Sequence, residues 1–138
     1  MECDMPETPF NPVRETLVFV YGTLLRGERN HSLLFGSRFI GDGYTTRDFE
    51  LVDLCDFPAM IPADEDSQGC SIYGEIYAVD HSILEILDEI EDHPRFYRRT
   101  PVQLKDGSLV DVYLLTAHQA AFYPRIETGD WRTKVRAS

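Results

Sequence analysis

Apolar and polar positions along this chain fall into two regimes, and each predicts a kind of element. Leu17-Val18-Phe19-Val20-Tyr21 is a short, nearly all-apolar run with β-branched and aromatic members, the pattern of a strand buried on both faces. It stops sharply at Gly22-Thr23. Residues 72–79 predict a second strand, with Ile72, Gly74, Ile76 and Ala78 on one face and Tyr73, Glu75, Tyr77 and Val79 on the other. Residues 97–104 and 109–116 are two further β runs joined at Asp106-Gly107, a hairpin signal, and Pro101 assigns the first to an edge or a bulge. Residues 38–54 predict one or two strands broken by Gly41 and Gly43.

Helical periodicity appears in two places. Asn30 is placed to cap a short helix through residues 31–35 that Gly36 stops. Asp80 stands in the capping position before Ile83-Leu84-Glu85-Ile86-Leu87-Asp88-Glu89-Ile90-Glu91, and Pro94 closes that helix. Residues 56–69 contain Pro58, Pro62 and several acids and predict a surface loop. Beyond Ala117 the pattern is irregular, with Gly129-Asp130-Trp131 as its one sharp feature. Strand-rich stretches around one good helix predict a single α+β domain with a largely antiparallel sheet, closed in the limit. The expected organisation is a Pro-rich lead-in at 1–15, a domain at 16–131 and a short tail at 132–138.

Charge and cysteine usage narrow the partners. The 138 residues carry 24 acids against 13 Lys and Arg, a formal net charge of -11, which argues against nucleic acid despite the clusters Arg95, Arg98, Arg99 and Arg132, Lys134, Arg136. Cys3, Cys55 and Cys70 have neither metal-knuckle nor redox-pair spacing and predict free thiols in a reducing compartment. Residues 1–15 have no apolar signal core, and no segment reaches bilayer-spanning length, so a cytoplasmic protein without membrane partners is expected. His93 beside two acids, and His81 with Glu85, are too sparse to predict a metal site.

Two features bear on chemistry. On a wheel of about 100° per residue, Glu85, Asp88 and Glu89 point roughly 120–160° from the centre of the apolar stripe, and Glu91 only about 80°. Three acids are thus assigned to a solvated face and Glu91 to the edge of the core. Partial desolvation there would raise its pKa and suit it to accept protons near neutrality; the plain alternative is an acid that reaches water or pairs with Arg98 or Arg99. Glu75 is the rival, as a second buried carboxylate or as a satisfied structural acid. The turn Tyr21-Gly22-Thr23-Leu24 lets the backbone approach a ligand and frees N–H groups for an anion, or it simply ends a strand.

The segment Val18-Phe19-Val20-Tyr21-Gly22-Thr23-Leu24, with Arg26-Gly27 and Asn30-His31, resembles the opening signature of the γ-glutamylcyclotransferase-like family. It is most similar to the branch holding γ-glutamylamine cyclotransferase and its bacterial relatives. Gly74-Glu75-Ile76-Tyr77-Ala78-Val79-Asp80, Leu87-Asp88 with Glu91, Tyr97-Arg98-Arg99 and Gly129-Asp130-Trp131 continue the resemblance in family order. The resemblance implies a small β-barrel flanked by helices, acting without cofactor or metal on a small-molecule γ-glutamyl substrate; a monomer or weak homodimer is expected. In the implied reaction the substrate's α-amine attacks its own γ-carbonyl, giving 5-oxoproline and the released amine. Glu91 falls on the catalytic position, and Tyr21, Gly22, Thr23 and Leu24 fall on the substrate turn. Tyr97 matches an aromatic near the pocket, and Tyr113 is a further candidate. Many relatives have Gly after the catalytic Glu, where this chain has Asp92; the wheel turns Asp92 away from the pocket, and its charge is expected to raise the Glu91 pKa slightly. The alternative is a non-catalytic binder of a γ-glutamyl or amino-acid-like metabolite on the same fold.

Overall fold

The apolar run at 17–21 forms the central strand of the sheet. In the computed structural model, which describes residues 15–133, strand β1 (Thr16–Val20) lies between β5 (Tyr73–Val79), antiparallel, and β7 (Leu109–Leu114), parallel. The other strands are β2 (Arg38–Tyr44), β3 (Phe49–Asp53), β4 (Pro58–Pro62) and β6 (Arg98–Gln103), and the sheet order is β2-β5-β1-β7-β4-β3 with β6 also on β7. Helix α1 (His81–Ile90) follows β5, with Asp80 accepting the Ile83 N–H as its cap. A 3-10 turn occupies His31–Leu34.

The centre of the sheet is buried on both faces, which explains why β1 reads as a nearly all-apolar run, and β5 is buried along its whole length, Glu75 included. Val18, Val20, Tyr77 and Val79 pack beneath Leu84 and Leu87 of α1. Phe19, Ile76, Leu51 and Met60 pack on the opposite face with Ile126 and Trp131 from the C-terminal segment. The α+β class and single domain are as expected, with Pro101 on β6, which pairs only with β7 among the strands.

Two expectations are corrected. The sheet does not close into a barrel. The outer edge of β3 is taken by the C-terminal segment, through Ile126 N–H to the Leu51 carbonyl at 2.8 Å and Asp53 N–H to the Pro124 carbonyl at 2.9 Å, so β3 has no edge to offer β2. Residues 56–69 are not all loop either, because Pro58–Pro62 is strand β4, pairing with β3 and with β7 at Met60 and Leu114. Its central residues Ala59, Met60 and Ile61 are buried, and burial overrides the poor strand propensity of the flanking prolines.

Gly129 has φ 77° and donates to the Ile126 carbonyl, while its own carbonyl accepts the Tyr73 N–H; a Cβ there would lie 2.4 Å from the Ser71 carbonyl oxygen. The turn therefore locks the C-terminal segment to the start of β5. The proposed lead-in (up to residue 14), Cys3, Lys134, Arg136 and most of the tail lie outside the described residues. Arg132 pairs with Asp130 and stacks over Tyr73. Among the described residues no helix is long and apolar enough to cross a membrane.

Candidate active site

The site forms where β1 leaves the sheet. β7 carries β6 along one edge and meets β1 at Asp111 and β4 at Leu114 along the other, so the sheet splits between β1 and β4. The Tyr21 hydroxyl fills the split, donating to the Tyr113 carbonyl at 2.7 Å and accepting the Met60 N–H at 2.9 Å. Past Tyr21 the chain turns over a cavity of about 370 Å³, within the range of small-molecule pockets.

The cavity brings together every predicted site residue: Tyr21, Gly22, Thr23, Leu24, Glu91, Tyr97 and Tyr113. The turn is closed by the Leu25 N–H on the Gly22 carbonyl at 3.0 Å and braced by the Asn30 N–H on the Thr23 carbonyl at 2.9 Å. The N–H groups of Gly22, Thr23 and Leu24 donate to no protein acceptor among the described residues. Three successive free donors make a cradle for an anion or a developing oxyanion. Gly22 is required by packing, since a Cβ would lie 2.6 Å from Cγ of Pro58.

Glu91 reaches the cavity because of how α1 ends. Asp92 N–H bonds to the Glu89 carbonyl and His93 N–H to the Asp88 carbonyl, the paired bonds of a Schellman termination. That motif needs a left-handed residue after the last helical one, and Asp92 supplies it with φ 56°. A Gly at this position in relatives has the same backbone explanation. The wheel is interrupted there, so Asp92 does not turn away; it borders the cavity and pairs with Arg95 at 3.0 Å.

The inward side of α1 is Leu84, Leu87, Asp88 and Glu91, whereas Ile86 and Ile90 are about half exposed. Asp88 is therefore not on a solvated face. It takes two bonds from Arg99, at 2.9 and 3.1 Å, and one from the Tyr113 hydroxyl at 2.7 Å. Burial pushes the Asp88 carboxyl up, but Arg99 and Tyr113 outweigh it and hold it below the usual range. Arg99 is thereby committed to Asp88 and, at 2.7 Å, to Asp111.

Glu91 differs from Asp88 in having no hydrogen bond or ion pair to its carboxylate among the described residues. Burial alone pushes its carboxyl up to about 7, and the Asp92 charge does not contribute. The tyrosines feel this group: burial first, then the Glu91 charge, raises the Tyr97 hydroxyl far above its ordinary value. Tyr97 donates to the Pro58 carbonyl at 2.6 Å, so Tyr97 and Tyr113 both keep their protons and spend them on protein acceptors.

Glu75 lies outside the cavity. Its carboxylate accepts from the Arg26 N–H, the Arg26 guanidinium, Tyr77 and Tyr73, at 3.0, 2.9, 3.0 and 3.3 Å. Burial raises its pKa, but these bonds, those of Arg26 first, leave it lowered overall. Of the two candidate carboxylates, only Glu91 is both unpaired and within the cavity. The wall also includes Phe57 and Pro58 from the segment read as loop, with Arg29, Ile90 and Phe96, none singled out by the sequence pattern.

A profile described as gamma-glutamyl cyclotransferase, AIG2-like, matches residues 18–133, and the chain belongs to that family of enzymes. It is similar to a provisionally named gamma-glutamylcyclotransferase of Vibrio cholerae, 35% identical over 119 residues, covering 86% of this chain and 97% of that protein. It is also 40% identical over 96 residues to gamma-glutamylaminecyclotransferase B of Danio rerio, covering 64% of this chain and only 49% of that protein. The crystal structure of an AIG2-like protein from Mus musculus superposes with a TM-score of 0.70 at 32% identity, covering 83% of this chain and 87% of the other.

Proposed function

We propose that this protein cyclises a γ-glutamyl amine or peptide to 5-oxoproline, releasing the attached amine, with Glu91 as the proton-transfer residue. The observation that carries the reading is an unpaired carboxyl, raised to about 7, in one cavity with three free main-chain N–H groups. A binder that performs no chemistry gains nothing from such a group, which is costly to keep ionised. A base poised near neutrality does.

In the proposed reaction the substrate's α-nitrogen bonds to its own γ-carbonyl carbon, and the bond from that carbon to the departing nitrogen breaks. Glu91, as carboxylate, accepts the proton given up by the attacking nitrogen and returns it to the departing one. No water and no net proton are consumed. As the ring closes, charge develops on the γ-carbonyl oxygen, and the N–H groups of Gly22, Thr23 and Leu24 are the fixed donors for it. Tyr21, Tyr97 and Tyr113 wall the folded glutamyl chain, and holding nucleophile and carbonyl together supplies much of the acceleration. The test is to incubate the protein with γ-glutamyl amines and dipeptides and follow 5-oxoproline by chromatography; product from at least one is expected, and none from any would overturn the reading.

A further inference from the structure

The cavity is graded in both burial and charge. Its inner part, at Val20, Tyr21, Gly22, Tyr97 and Tyr113, is buried, whereas Phe57, Ile90, Phe96 and Arg29 at its rim are part or largely exposed. A γ-glutamyl group held by the 21–24 turn and Glu91 occupies the inner part, so the departing group extends over the rim. That rim carries an aromatic cluster, Phe57 and Phe96 meeting edge-on at 6.4 Å and Phe96 and Tyr97 at 5.1 Å, and Ile90 adds a further apolar lining residue.

The charged groups at the rim differ in how they are engaged. Asp92 is bound by two nitrogens of Arg95. Arg29 forms no ion pair among the described residues and donates only to the Asp56 carbonyl, at 2.7 Å. Of these two rim groups in a chain of net charge -11, the one without a counter-charge is thus the cation Arg29, set apart from the Glu91 carboxyl deeper in the cavity. A guanidinium with donors to spare selects a carboxylate.

We infer that the rim takes the departing half of a γ-glutamyl conjugate of an apolar α-amino acid, its side chain against Phe57, Ile90 and Phe96 and its carboxylate on Arg29. The inference rests on the reaction proposed above and names its substrate class. Arg29 and Phe96 are specificity-determining residues that contact the departing half and take no part in proton transfer.

The test compares γ-glutamyl-phenylalanine with γ-glutamyl-phenethylamide, which lacks only the carboxylate, with γ-glutamyl-glycine, which lacks only the side chain, and with ε-(γ-glutamyl)-lysine. The phenylalanine conjugate is expected to lead each in kcat/KM by about tenfold or more. Arg29→Gln is expected to collapse its lead over the phenethylamide, and Phe96→Ala its lead over the glycine conjugate. Equal turnover of the first two, or preference for the lysine conjugate, would overturn the inference. Titration calorimetry of the same four compounds on Glu91→Gln separates the two claims. The same order of affinity without 5-oxoproline from the wild type leaves the rim assignment standing and removes the reaction; no preference in either assay removes the rim assignment.

Discussion

The main-chain N–H of Arg26 donates to Oε1 of Glu75 at 3.0 Å, which ties the loop after the 21–24 turn to the neighbouring strand β5. The Arg26 guanidinium closes a second bond to Oε2 at 2.9 Å and lies 4.5 Å over the Phe39 ring. A buried carboxylate outside the cavity thus anchors the loop that follows the backbone cradle. Glu75→Gln weakens these charge-assisted bonds, and a destabilisation of about 2 kcal/mol is expected, measured by denaturant unfolding. Because the Glu75 pKa is lowered on folding, its contribution is present above the ordinary carboxylate range and lost as the pH falls. Residual 5-oxoproline formation in this variant, with raised KM, is the expected kinetic result.

Glu91 has the opposite linkage. Its pKa rises on folding from the ordinary 4.5 to about 7, so the stability tied to its protonated form is complete below 4.5 and lost as pH rises through 7. Glu91→Gln keeps the shape without the buried charge. Relative to wild type, the variant is expected to gain on the order of 3 kcal/mol between pH 5 and pH 8, read from unfolding curves at each pH. A difference that does not change with pH would mean that Glu91 titrates at its ordinary value.

The same titration governs rate. With Glu91 as the proposed base its carboxylate is the active form, so kcat/KM for a γ-glutamyl substrate is expected to fall about tenfold per unit below an apparent pKa near 7. A profile flat from pH 5 to pH 8 would contradict the assignment of Glu91 as base.

Gly22 abuts Pro58, whose main-chain carbonyl also anchors Tyr97. The Pro58 ring has little freedom to yield to a Cβ at 2.6 Å, so Gly22→Ala must displace the turn. A stability loss of about 1–3 kcal/mol and a marked rise in KM are expected, by unfolding and steady-state assay. An unchanged KM would show that the turn does not hold substrate.

Asp92 makes a smaller prediction. A non-Gly residue in the left-handed region is strained, so Asp92→Gly is expected to stabilise α1 by up to about 1 kcal/mol with activity within twofold of wild type. Loss of activity would assign the Asp92 carboxylate a role beyond its backbone conformation.

Much of this arrangement is legible in the sequence where one local pattern dominates. The run at Val18-Phe19-Val20 and the Asp80 cap each predict their element, because strand burial and capping are set by neighbouring residues. Strand β4 is not legible. Its prolines and acidic neighbours signal a loop, and only pairing with β3 and β7 makes Pro58–Pro62 a strand. With β4 misread, Phe57 and Pro58 are lost from the cavity wall.

The helix wheel selects Glu91 but misplaces Asp88. It weights Ile86 and Ile90 as core, while α1 packs on Leu84 and Leu87 and turns Asp88 toward Arg99 and Tyr113. A distant arginine and tyrosine leave no periodic trace. The open sheet is hidden for a similar reason, since the irregular segment at 124–126 occupies the edge of β3.

The most direct test pairs Glu91→Gln with Glu75→Gln in one 5-oxoproline assay at pH 8, with circular dichroism confirming that both remain folded. The account predicts that Glu91→Gln lowers turnover by about a hundredfold or more while Glu75→Gln retains part of it. Turnover surviving in folded Glu91→Gln and lost in folded Glu75→Gln would contradict it and move the base to strand β5.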